Sequence, residues 1–240
     1  MEFETFKNEY LLSMETICEE IFKRNTDSIK VKKQKFAVRN LTKIIDTALR
    51  LSNRTGFHAM GLRALSKESG LSMGGLYAYF EGKDELLRII QDYGRQVLME
   101  LLQKHTAEER DPQRQLETAI KVHLYLSEIM RDWFFFSYME ARFLSRDDRR
   151  AAIAGELRTE QMFSEIMEKG CREGVFTVTD TVLAASLIKA MLQDWYLKRW
   201  KYAGRNVSVE DYAEHMLGWV RAYLGCGVVC QKNGGEMLKH

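Results

Sequence analysis

The side chains best suited to metal binding or nucleophilic catalysis are five histidines (His58, His105, His123, His215 and His240) and four cysteines. Their spacing supports neither chemistry. There is no His-Glu-x-x-His pair. Gly225 and Gly227 are followed by Cys230 where a dinucleotide fingerprint needs its third glycine, and no phosphate-cradling Gly-Lys-Ser/Thr loop occurs. Cys226 and Cys230 stand without further thiols nearby, so they read as incidental rather than as a metal or redox pair. We therefore expect no catalytic residue, no metal, no cofactor and no enzyme activity.

A second group of residues suits nucleic acid. The chain carries a formal charge of only +2, but its charge is unevenly spread. Lys30–Arg63 holds nine positive residues against the single Asp46, a net +8, which leaves −6 for the remainder. Such asymmetry points to an anionic partner near the N-terminal part, although a solvated helix face would also explain charge alone. Beside this segment lies Gly70-Leu71-Ser72, flanked by two short apolar-periodic stretches, the layout of a helix-turn-helix. Arg63 can take a guanine edge bidentately. Met73, Gly74 and Gly75, after the capping Ser72, allow close approach to a duplex, and Tyr77 and Tyr79 offer hydroxyls. Lys83 opens the next helix, where its ammonium can join backbone N–H groups on a phosphate. Lys32, Lys33 and Lys35 are expected to form a basic arm supporting the DNA contact; the competing reading is a solvated linker.

These residues need helices to position them, and the pattern supplies little else. A single proline in 240 residues disfavours linkers and all-β folds. We expect an all-α chain: an N-terminal three-helix DNA-binding domain with a helix-turn-helix, then a C-terminal helical domain for ligand binding and dimerisation. The periodicity predicts one amphipathic helix over 2–24, then helices over about 41–51, 62–69 and 73–80, and a long helix from Lys83. Gly70 suits a left-handed helix end and Ser72 an N-cap. Further helices are expected at about 112–130, 132–144, 147–170, 180–203 and 208–224, with caps at Asp111 and Thr179 and a near capping box over Ser208–Asp211. Val182–Leu192 is apolar nearly all round, apart from Ser186 and Lys189, and is expected to be buried on both sides. The domains are placed at 1–35 (extra helix and basic arm), 36–82, 83–225, and a flexible tail at 226–240. No leader and no apolar stretch of spanning length is evident, so we expect a cytoplasmic protein with no membrane partner.

The run Leu62-Arg63-Ala64-Leu65-Ser66-Lys67-Glu68-Ser69-Gly70-Leu71-Ser72-Met73-Gly74-Gly75-Leu76-Tyr77-Ala78-Tyr79-Phe80-Glu81-Gly82-Lys83-Asp84-Glu85-Leu86-Leu87 resembles the DNA-binding signature of the tetracycline-repressor (TetR) family. The likeness covers about residues 36–90. It implies a homodimeric transcription factor, usually a repressor on a palindromic double-stranded operator, released by a small-molecule effector. It also implies that Arg63, Met73, Gly74, Gly75, Tyr77, Tyr79 and Lys83 face DNA, with Leu65 and Phe80 in the core. Met60 and Gly61 stand where the family favours a capping Thr or Ser, Gly75 where Thr is common, and Ala78 where an aromatic residue or His is common. An activator of the same family and a helical adaptor without DNA binding are the alternatives.

For the effector, Met130–Phe143 is unusually aromatic and covers every face of a helix. It suggests an apolar cavity with Arg142 or Glu140 as a polar anchor. The candidate contacts are His123, Met130, Trp133, Phe134, Tyr138, Arg142, Phe163 and Trp195, although a satisfied core role is the commoner fate of a residue such as His123. Fatty acyl groups or acyl-CoA thioesters suit this composition, as do drug-like aromatics or quorum signals. Trp195–Trp200 is similar to a run in some acyl-responsive relatives. The helices near 180–203 and 208–224 are expected to form the homodimer interface as a four-helix bundle.

Overall fold

The computed structural model describes residues 1–11 and 13–225. Twelve α-helices make up the described residues: α1 (Phe3–Tyr10), α2 (Met14–Arg24), α3 (Gln34–Thr55), α4 (Leu62–Ser69), α5 (Met73–Leu76), α6 (Lys83–Ala107), α7 (Pro112–Ile129), α8 (Arg131–Glu140), α9 (Arg146–Arg172), α10 (Thr181–Leu197), α11 (Arg199–Ala203) and α12 (Val209–Leu224). A 3-10 turn, Ala141–Phe143, follows α8.

Local chemistry sets most boundaries. Asp111 accepts from the Arg114 amide at 2.9 Å and Pro112 fills the first turn of α7, where its missing N–H costs nothing. Ser208 and Asp211 form a full capping box at α12. Gly70 ends α4 at φ +72, a conformation that L side chains resist. The Cys226–His240 tail, with Cys226 and Cys230, lies outside the described residues.

Several expectations need correction. The helix foreseen over 2–24 is two helices, because Ser13 caps α2 by accepting from the Thr16 amide at 3.1 Å. The cap of α10 is Asp180, not Thr179; Asp180 accepts from the Leu183 amide at 2.8 Å. The helix foreseen over 180–203 breaks at Lys198. The helix foreseen over 147–170 runs on to Arg172; Gly170 lies inside it, where the absent Cβ leaves room for the Phe176 ring, and Gly174 turns the chain beyond it at φ +73. Val182–Leu192 is not covered on both sides within one chain: Val182, Leu183 and Leu187 are exposed.

α3, α4 and α5 build the DNA-binding domain around Leu41, Ile44, Ile45, Leu65, Leu76 and Phe80. α6 leaves it to join α7, α9, α10 and α12 in the second domain, whose core includes Ile120, Leu124, Phe163, Leu192 and Leu217. The N-terminal extension straps the two together. α1 packs on α7, with Phe6 at 5.8 Å from Tyr125 and 5.9 Å from His105 between ring centroids. The Phe3 amide donates to Glu210 of α12 at 3.0 Å. α2 packs on α3 through Ile17, Cys18, Ile21 and Phe22, and Arg24 pairs with Glu100 of α6 at 3.1 Å. The strap then ends against the helix-turn-helix itself, where the Lys30 amide donates to the Ala78 carbonyl at 2.9 Å.

Candidate nucleic-acid interface and effector cavity

The helix-turn-helix presents one polar outer surface. Arg63, Ser72, Gly74 and Tyr77 are exposed; Met73 and Gly75 are half-buried beside them. Ser72 spends its hydroxyl as an N-cap, accepting from the Gly75 amide at 3.1 Å. A Cβ on Gly74 would meet nothing, so that backbone is open to a close partner. Gly61 caps α4 with no side-chain bond, which costs only a few tenths of a kcal/mol relative to Ser or Thr.

Three predicted contacts are placed differently. The expected helix over 73–80 is a single turn ending at Leu76, and the chain then turns. That turn sends Tyr79 inward to 1% exposure, so it is a core residue and not part of the outer surface. Lys32 folds back and donates to the carbonyls of Thr26 at 2.7 Å and Ile29 at 3.0 Å, closing the strap's own turn. Lys33 and Lys35 remain exposed at the start of α3. Lys83 is committed to the protein as well: its Nζ donates to the His58 carbonyl at 2.6 Å and lies 5.1 Å from the centre of the Phe57 ring.

The second domain holds a cavity of about 590 Å³ between α6, α7, α8, α9 and α10. Of the predicted effector contacts, His123, Trp133, Phe134, Tyr138 and Arg142 line it. The other three do not. Met130 faces a separate groove under the strap. Phe163 is fully buried in ordinary packing. Trp195 is fully buried, donates its indole N–H to Glu128 at 3.1 Å and packs on Tyr202 and Tyr212. Asp194 and Lys198 pair at 2.5 Å, as an i,i+4 spacing allows, and Asp194 also engages Lys201 and Tyr202.

The floor of the cavity is polar. His123 is 1% exposed, and neither ring nitrogen has a protein partner. Burial, and then the nearby Lys189 charge, hold its pKa well below the ordinary imidazole value, so it is neutral at pH 7. Lys189, buried in α10, pairs with Glu156 of α9 at 3.3 Å. Burial lowers its pKa, and Glu156 opposes the shift. Lys189 and Glu156 were missed as site residues. The one signal was Lys189 itself, a cation in an otherwise apolar helix, and such a residue seldom sits buried without a partner and a purpose. The exposed side of the lining is cationic through Arg142 and Arg149, with Arg95 half-buried beside them and paired with Asp92.

His123 gives a pH signature. Its folded pKa is depressed, whereas the unfolded ring titrates near about 6.5. Stability is therefore whole above about pH 6.5 and lost as pH falls, by up to about 1.4 kcal/mol per unit for this group. The stability of wild type relative to His123→Leu should fall from pH 6.5 to 5 in urea titrations. A pH-independent difference would show that His123 is protonated in the fold.

The cavity wall also touches the DNA-binding domain. α8 lies across the end of α3, and Glu140 (4% exposed) accepts from the Phe57 amide at 2.9 Å. Phe136 meets Phe57 edge-on at 5.4 Å, and Phe143 stacks on His58 at 4.6 Å. Gly56 permits this docking: it turns the chain at φ +82, with Glu140 alongside. The next residues of the same wall, Ala141 and Arg142, line the cavity.

Residues 44–90 match the family described as bacterial regulatory proteins, tetR family, and residues 109–224 match the tetracyclin repressor-like C-terminal domain. The chain is 25% identical over 184 residues to the HTH-type transcriptional regulator HbdR of Aromatoleum sp. (strain CIB), covering 75% of this chain and 79% of that protein. Among solved structures, a tetR-family regulatory protein from Rhodococcus RHA1 superposes with a TM-score of 0.72 at 19% identity, over 78% of this chain and 97% of that one. AibR in complex with isovaleryl coenzyme A and operator DNA superposes with a TM-score of 0.67 at 20% identity, over 75% of this chain and 97% of that one. The fold is thus that of these regulators. Among the described residues, no helix is long and apolar enough to cross a membrane. With both halves of the chain matched, the protein belongs to the TetR family of DNA-binding transcriptional regulators and is not an enzyme.

Proposed function

We propose that the protein is a homodimeric repressor of a palindromic operator, released when an acyl-CoA thioester enters the cavity. The observation that carries the release mechanism is the Glu140–Phe57 hydrogen bond, which ties the cavity wall to the DNA-binding domain. Arg63, Ser72, Met73, Gly74, Gly75 and Tyr77 form the DNA surface, and Lys33 and Lys35 add phosphate contacts beside it. The cationic side of the lining suits the phosphates of coenzyme A, and the apolar walls suit an acyl chain. AibR, of the same fold, was solved with isovaleryl coenzyme A, which supports this effector class.

Val182, Leu183 and Leu187 on α10, with Trp219 and Tyr223 on α12, are large apolar side chains left exposed by one chain. A second copy would cover them, making a four-helix bundle of α10 and α12 from each subunit. That dimer would set the two α5 helices about one DNA turn apart, roughly 34–36 Å. The effector must bind the wider or tilted, non-DNA state more tightly to release the operator. Motion of α8 against the Gly56–His58 turn and of α6 from Lys83 would supply that tilt.

A gel-shift titration with the DNA flanking its own gene tests this reading. Retardation at low salt, lost on adding octanoyl-CoA, is the expected result. Arg63→Ala should weaken binding by about 1–3 kcal/mol and relax specificity at one base position. The Lys33→Ala, Lys35→Ala pair should instead reduce the salt slope by about 1–2 with sequence preference intact. No retardation at low salt would return the chain to a role other than operator binding.

A further inference from the structure

The cavity floor is chemically at odds with a plain hydrocarbon guest. His123 is fully enclosed, its ring lies edge-on to Phe134 at 5.6 Å, and both ring nitrogens lack a protein partner. Buried polar side-chain atoms are nearly always hydrogen-bonded, and a buried donor or acceptor facing only methylenes loses its solvation with no return. The other polar groups around it do not resolve this. Lys189 is already paired with Glu156, so its ammonium does not serve the unpartnered neutral ring of His123. A carboxylate seated there would have to compete with Glu156 for the same ammonium. A neutral imidazole offers one N–H and one lone pair, which matches a carbonyl or a hydroxyl.

Resting on the reading that this cavity holds the effector, we propose that the effector carries an uncharged oxygen function, a hydroxyl or a carbonyl, at its buried end, and that His123 recognises it. His123 is then the residue that tells an oxygenated chain or ring from its plain counterpart. A site built to bond such a group rejects the analogue that lacks it, because the ring is left unpaired. The converse pocket, apolar throughout, would discriminate weakly.

The test uses two matched pairs and calorimetric titration of the full chain. The first pair, 4-ethylphenol and 4-ethyltoluene, probes the cavity without coenzyme A. The second, 8-hydroxyoctanoyl-CoA and octanoyl-CoA, probes it with the thioester head. Wild type should bind the oxygenated member of each pair about tenfold or more tightly. His123→Leu should erase that preference, and His123→Gln should keep part of it, with the helical circular dichroism spectrum and a cooperative urea transition of each variant as the check on folding. Equal binding within the pairs, or a preference that survives His123→Leu, overturns the inference while leaving the thioester reading intact. A phenol preference with no thioester binding supports the inference and removes the thioester reading. Binding of none of the four compounds overturns both.

Discussion

Glu140→Ala should leave a protein that still binds its operator but no longer lets go of it. The Glu140 carboxylate accepts the Phe57 amide proton at 2.9 Å across the junction of the two domains, in a site only 4% exposed. Truncation leaves that N–H buried without an acceptor, a cost of about 1–3 kcal/mol. For a chain of this length the melting temperature should fall by roughly 2–4 °C for each kcal/mol. The larger effect is on coupling. Effectors typically shift affinity at a second site by about 5–150-fold, and they can do so only through contacts that differ between the two states. With Glu140 removed, the Phe57–Phe136 and His58–Phe143 ring contacts remain between α8 with its following turn and the Gly56–His58 turn, and the Lys83–His58 hydrogen bond remains from α6. Effector-induced release, measured as the ratio of operator affinities with and without ligand, should drop to about twofold or less. Glu140→Gln keeps one acceptor and should recover part of the response. A full response in Glu140→Ala would place the coupling elsewhere, along α6.

Gly94→Ala should reshape the cavity. Gly94 lies inside α6, where alanine would ordinarily gain about 1 kcal/mol in helix propensity. Here a Cβ would meet the Trp133 indole at 2.8 Å from Nε1 and 2.9 Å from Cδ1. That ring is 3% exposed, donates to the Ile90 carbonyl at 2.8 Å and packs on Tyr93. It cannot retreat without losing the bond. Overpacking costs about 1–3 kcal/mol and an orphaned indole N–H about 1–3 more, so the clash outweighs the helix gain. The expected net loss is about 2–4 kcal/mol by urea unfolding. Because Trp133 lines the cavity, effector affinity should fall at least tenfold while the helix-turn-helix surface is untouched. A more stable Gly94→Ala protein would show that Trp133 moves freely.

The helix-turn-helix was legible because its signals are local. Gly70 at the left-handed end, Ser72 as cap and Lys83 as the start of α6 each depend on neighbours within a few residues, and α4 spans the residues its periodicity marks. Tyr79 was misplaced for the opposite reason. A helical period carried through Phe80 puts it outside, but α5 ends at Leu76 and the turn reverses its direction. The cavity floor was the least legible part. His123 on α7, Glu156 on α9 and Lys189 on α10 are brought together only by the packing of three helices, and no spacing in the chain connects them. Likewise, one apolar face over residues 2–24 looks the same whether it is one helix or two bridging separate domains. The Ser13 cap decides it, and Ser is too common for its position alone to mark a break.

The strap has a consequence for the order in which the protein is made. α1 precedes every surface that holds it, on α6, α7 and α12, and the Phe3 amide finds its acceptor 207 residues later. At about 5–20 residues per second, roughly 10–40 s of synthesis separate the two partners. Phe6 waits for His105 and Tyr125, about half as long, and the helix-turn-helix is finished before the clasp that joins it to the second domain can close. α1 is therefore placed only after helices far downstream of it have been made.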